Sequence, residues 1–135
     1  MDNNILKIDL DEPNKKKAID LLKSRLAYMH DIKFFDINNI EYIKLFYKSS
    51  YGCKIKLYYS FKPEMIIILQ LLLGSDYQKE VNTMLNHFKF NMEYSNRLFL
   101  VKRYKGNLLK FAKEYDVTNS IIKFVNNSKR KKNYN

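Results

Sequence analysis

The chain predicts an α/β (α+β) domain, with a mainly antiparallel sheet of about four strands, helices on one face and a helical hairpin at the C-terminus. Three observations carry that expectation. Residues 42–61 alternate in two arms separated by a small-residue bend, the period of paired, half-buried strands. Pro13 and Pro63 each open a stretch that reads as a helix. The elements then run β-α-β-β-α-α-β, an order that puts helices on one side of the sheet and leaves the other side open.

The first strand is Ile5–Leu10, where Leu6, Ile8 and Leu10 alternate with Lys7, Asp9 and Asp11. Pro13 then suits the first helical position, behind the acidic pair Asp11-Glu12 that favours a positive helix terminus. Ala18, Leu22, Leu26 and Met29 form the buried stripe of that helix, and Lys15, Lys16, Lys17 and Lys23 a solvated face. Asp and Asn turn formers over 30–41 lead into the hairpin. Beyond it, Pro63 to Leu73 is apolar nearly all round, hence central, and Gly74 ends it. Ser75 and Gln78 have capping-box spacing for a helix from Tyr77 to about Phe88, with Val81, Met84, Leu85 and Phe88 as its stripe. Arg97–Lys102 reads as a further strand. Residues 107–127 read as two short helices broken near Tyr115-Asp116-Val117, with Thr118 capping the second. Residues 1–127 therefore form one domain, and Ser128–Asn135 a disordered basic tail.

Composition narrows the function classes. A formal net charge of +11 over 135 residues, with a pI near 9.6, sets up a positive field that draws polyanions, nucleic acid first. Hydrophobic residues at 46% exclude a disordered chain, and aromatic residues at 15% are abundant. One cysteine, Cys53, excludes a disulfide framework and a metal–thiolate cluster. The longest apolar run, Met65–Leu73, is too short to span a bilayer, and the acidic opening MDNNILKIDLDE is no signal peptide. The expected location is the cytoplasm, and no membrane partner is expected.

The hairpin supplies the candidate site. Ile43, Leu45 and Tyr47 share a side with Cys53, Ile55, Leu57, Tyr59 and Phe61; Tyr42, Lys44, Phe46 and Lys48 share the other with Lys54, Lys56, Tyr58 and Ser60. With the bend at Ser49-Ser50-Tyr51-Gly52, the expected pairs are Lys48–Lys54, Phe46–Lys56 and Lys44–Tyr58, or a register two residues away. Either choice presents lysines interleaved with rings, as single-strand binders do: cations for phosphates and aromatic platforms for bases. Lys44, Lys48, Lys54, Lys56, Arg103 and the tail residues Lys129, Arg130, Lys131 and Lys132 are the expected phosphate contacts. Phe46, Tyr58 and Tyr51 are the expected stacking residues.

Asp9 and Asp11, two apart on a strand, are weak candidates for holding a divalent metal. KIDLDEP, then a helix, then YKSSYGCKI resembles the archaeo-eukaryotic primase core over residues 4–60. That resemblance implies metal ligands at Asp9 and Asp11 and small residues at Ser49, Ser50 and Gly52. The family's histidine position holds Lys54, and its third acid has no counterpart, which argues against polymerisation but leaves the fold and its affinity for nucleic acid. Size and Lys/Tyr-rich composition also resemble the small non-OB single-stranded DNA-binding proteins of archaeal rod-shaped and filamentous viruses. That resemblance implies a homodimer coating exposed strands during replication, without sequence preference.

A rival reading uses the C-terminus. Ala112, Val117, Ile122 and Val125 have helix-turn-helix spacing, with Thr118, Asn119, Ser120 and Lys123 turned toward a duplex major groove. His30 and His87 lack ligand spacing, and no phosphate loop, Ser-His-Asp order or HExxH motif occurs. The expectation is a non-enzymatic, non-sequence-specific single-stranded DNA-binding protein without cofactor. A duplex-binding regulator and a primase-like nucleotidyltransferase are the alternatives.

Overall fold

The computed structural model describes residues 3–47, 49–75, 77–85, 103–104, 107–108 and 113–131. Its elements are β1 (Ile5–Glu12), α1 (Lys15–Asp31), a 3-10 turn (Ile37–Asn39), β2 (Ile40–Tyr47), β3 (Tyr51–Leu57), α2 (Pro63–Leu72), α3 (Tyr77–Met84), β4 (Arg103–Tyr104), β5 (Asn107–Leu108), β6 (Lys113–Asp116) and α4 (Thr118–Lys131). Four strands form one antiparallel sheet in the order β1-β3-β2-β6, and β4 and β5 pair separately. The fold is α+β, as the alternation of the strands and the periodicity of the helices require.

One sheet face is aliphatic. Leu6, Ile8, Ile43, Leu45, Cys53, Ile55 and Leu57 are fully buried there, against Ala18, Leu22 and Leu26 of α1, Ile66 and Ile67 of α2, and Ile121 and Val125 of α4. Because successive strand residues point to opposite faces, burying these positions forces Lys44, Lys54 and Lys56 onto the other side. Burial also pushes the Cys53 thiol far above its ordinary pKa, which makes it an inert core residue.

The helix boundaries follow local chemistry. Asn14, not the neighbourhood of Pro13, caps α1: its side chain accepts the Lys17 N–H at 3.0 Å, which places Pro13 one residue before the cap. The expected stripe of α1 is buried, with Ala27 added to it. Pro63 does open α2, and Gly74 leaves it at φ +97, a conformation that costs glycine nothing. Arg25 closes this corner, donating to the Leu73 carbonyl at 3.2 Å.

The two outer edges of the sheet are treated differently. On β1 the outward N–H groups of Lys7 and Asp9 donate to Gln70 Oε1 (2.8 Å) and Ser75 Oγ (3.0 Å). Gln70 in turn donates to both carboxylate oxygens of the fully buried Glu80, at 2.8 and 2.9 Å. Ser75 therefore serves the sheet edge. A side-chain amide, a hydroxyl and a buried acid thus replace a neighbouring strand, which satisfies donors that burial would otherwise leave unpaired.

At the opposite edge the expected helical hairpin is corrected. Lys113–Asp116 is strand β6, paired with β2 through Lys44↔Asp116, Leu45↔Tyr115, Phe46↔Glu114 and Tyr47↔Lys113. The cause is tertiary: β2 needs a partner, and Val117 N–H and the Thr118 hydroxyl extend the pairing to Ile43 at 3.0 and 2.8 Å. Thr118 does begin a helix, but α4 runs on to Lys131, so residues 128–131 are helical rather than a disordered tail. The predicted strand 97–102 and the segment from 86 to 88 of the predicted third helix lie outside the described residues.

Candidate nucleic-acid interface

The hairpin keeps its predicted faces and changes its predicted register. Lys44 stands opposite Lys54, Phe46 opposite Gly52 and Tyr47 opposite Tyr51. Lys44 thus meets Lys54 in place of Tyr58, four residues along β3, which preserves parity. Tyr47 pairs with Tyr51, so Tyr51 belongs to the ladder, where its ring lies 4.8 Å from that of Tyr47 and 6.3 Å from that of Tyr115. An aromatic cluster on the core side has therefore won over glycine as a turn former, and Gly52 sits inside β3. Tyr51 is 7% exposed, with its hydroxyl pKa raised by burial first and by Tyr115 and Tyr47 next. It is not a stacking residue at a turn tip.

Combining the registers of β1, β3, β2 and β6 gives rows that cross the sheet on its polar face. One row is Lys7–Lys54–Lys44–Asp116, flanked by Ile5–Lys56–Tyr42 on one side and Asp9–Gly52–Phe46–Glu114 on the other. Neighbouring strands lie about 4.8 Å apart, so three lysines stand in line over roughly 10 Å. Like charges side by side on a sheet repel, and Lys7, Lys44, Lys54 and Lys56 are all half-buried on this face. Such a row favours an anion laid across it.

Counter-charge sits at the β6 end of the row. Lys44 Nζ is 3.4 Å from Glu114 Oε1 and 4.6 Å from the centre of the Tyr42 ring. Asp116 accepts from the Thr118 hydroxyl at 2.7 Å and its N–H at 3.0 Å; these bonds, and then Lys44, hold its carboxyl below the ordinary range. Among the described residues, Lys54 and Lys56 form no ion pair.

The remaining expected contacts fall in several places. Phe46 is on the lysine side but only 7% exposed, opposite Gly52, a pairing in which a ring makes up for a missing cross-strand side chain. It is therefore not an open platform. Tyr58 is 60% exposed just past β3, and its N–H donates to the Asn39 carbonyl at 2.9 Å. Arg103 belongs to β4, apart from the main sheet, and Lys129, Arg130 and Lys131 belong to the last turns of α4. Lys48 and Lys132 lie outside the described residues. Lys7 and Tyr42 were not among the expected contacts, although their parity puts both on the polar face; Lys7 needed the β1–β3 register to join the row.

The metal and duplex candidates change most. Between Asp9 and Glu12 the β1 register slips, and Asp11 takes φ +51, so a bulge interrupts the alternation that would align Asp9 with Asp11. Among the described residues, no group of three or more His, Cys, Asp or Glu side chains is placed to hold a metal. Without a helix over 113–116, the helix-turn-helix unit is not formed; Thr118 is spent on Ile43 and Asp116. No helix among the described residues is long and apolar enough to cross a membrane.

No protein-family model matches the chain, and no curated protein or solved structure matches it significantly. Asp9 lies opposite Gly52 on neighbouring strands, two residues along from the Lys7–Lys54 pair.

Proposed function

We propose that the protein binds single-stranded nucleic acid, DNA foremost, without sequence preference and without catalysis, through the polar face of its sheet. The observation that carries this reading is the cross-strand row Lys7–Lys54–Lys44 with Lys56 beside it, on a chain of net charge +11. Phosphates would lie over Lys54, Lys56 and Lys7, and Tyr58 and Tyr42 would supply ring surface at the margin. Homodimerisation, a role in viral or mobile-element replication and a cytoplasmic location belong to the same proposal; light scattering on the purified protein tests the first of them.

The deciding experiment is binding of an oligo-dT and of a duplex at several salt concentrations. Each neutralised single-strand phosphate contributes about −0.7 to the slope of log K against log salt. Lys54→Ala is expected to weaken oligo-dT binding and flatten that slope by about 0.7. An affinity that does not change between low and moderate salt would overturn the phosphate mechanism. Tighter binding to duplex than to oligo-dT would overturn the choice of ligand.

A further inference from the structure

We infer that Glu114 is a built-in competitor for the phosphate that Lys44 would otherwise take, so that the β6 edge restrains binding at its own end of the lysine row. The inference rests on the nucleic-acid reading above and specifies how that surface is regulated. Lys44 ends the row, and its ammonium is held 3.4 Å from the Glu114 carboxylate, whereas Lys54 and Lys56 form no ion pair among the described residues. Glu114 is exposed on the edge strand, and its ion pair among the described residues is with Lys44. A carboxylate presents two anionic oxygens to the ammonium, as a phosphodiester does.

A phosphate arriving at Lys44 therefore displaces a protein carboxylate, while one arriving at Lys54 displaces mobile counterions. Lys44 consequently contributes less to the salt slope than Lys54. The two acids at the β6 end, Glu114 and Asp116, also repel a polyanion there, so the bound strand is seated toward β1 and β3. Removing the Glu114 charge releases Lys44 for the ligand.

The test compares oligo-dT binding by the full chain, Glu114→Gln, Asp20→Asn, Lys44→Ala and Lys44→Ala/Glu114→Gln across a salt series. Asp20 pairs with Lys16 at 3.3 Å on α1, away from the sheet's polar face, so its neutralisation raises the net charge equally without touching the row. Glu114→Gln is expected to bind about two- to five-fold more tightly, the range of an exposed ion pair. Its salt slope should steepen by about 0.7 as Lys44 becomes a phosphate contact. Asp20→Asn should change affinity less, and in the Lys44→Ala background Glu114→Gln should lose most of its gain. Equal gains in Glu114→Gln and Asp20→Asn would overturn the inference in favour of net charge alone. No gain in Glu114→Gln, with the parent chain binding normally, would overturn it and leave the nucleic-acid reading intact. Absence of binding by every variant would overturn both.

Discussion

The two faces of this sheet are built from alternate residues of the same strands, and they answer to different demands. Lys54, Ile55 and Lys56 are consecutive, yet Ile55 is fully buried beneath the helices while its neighbours stand half-buried on the opposite side. On the aliphatic face close packing sets the energy, so each lost methylene costs both transfer free energy and a cavity. The polar face holds like charges in register, an arrangement that subtracts from stability. Stability and affinity should therefore separate by face, and they should do so between adjacent residues.

Ile55→Ala is the strongest way to break that separation. The expected loss is about 2–5 kcal/mol of unfolding free energy, read from urea or thermal unfolding, with oligo-dT affinity unchanged wherever the variant is folded. Lys54→Ala should show the reverse pattern, a stability change within about 0.5 kcal/mol and a weakened complex. An Ile55→Ala variant that kept its stability would remove the aliphatic face as the basis of the fold.

Phe46 sharpens the comparison, because it lies on the polar face with the burial of a core residue. Phe46→Ala should cost roughly 2–4 kcal/mol of stability, near the range for deleting a buried ring. Tyr58→Ala, at an exposed ring, should leave stability within about 0.5 kcal/mol and weaken oligo-dT binding by about 1 kcal/mol if the ring stacks on a base. Unchanged stability in Phe46→Ala would make it an accessible platform after all.

These contrasts also mark what was legible in the sequence. The faces of β2 and β3 follow from parity alone, and parity survives any shift by an even number of residues. The register itself was not legible, because it depends on Tyr51 meeting Tyr47 and also Tyr115, which lies more than sixty residues further along the chain. Strand β6 was hidden for a related reason. Lys113-Glu114-Tyr115-Asp116 has no alternating apolar signature, and it is a strand because the edge of β2 has hydrogen bonds to give. The same strand carries Glu114 and Asp116 to the lysine row, so the restraint on the site was as invisible as the strand. Lys7, by contrast, was readable in the alternation of β1 and lacked only a neighbour to define its part.

The smallest expected effect belongs to Asp116, at the boundary between the two demands. Its carboxyl is held below the ordinary range first by the Thr118 hydroxyl, then by the Thr118 N–H, with Lys44 also favouring the charged form. A lowered folded-state pKa stabilises the fold fully above the ordinary carboxylate value of about 3.9, and that contribution is lost as pH falls through the lowered one. Asp116→Asn keeps an oxygen for Thr118 and loses only the charge. At neutral pH it should be less stable than the parent by a few tenths of a kcal/mol, as expected for an exposed charged group. That gap should close as the solution is acidified below about pH 4, where the parent's carboxylate is itself neutralised. A gap that persisted unchanged at pH 2 would show that the side chain acts by shape rather than by charge. The acidic end of the row would then rest on Glu114 alone.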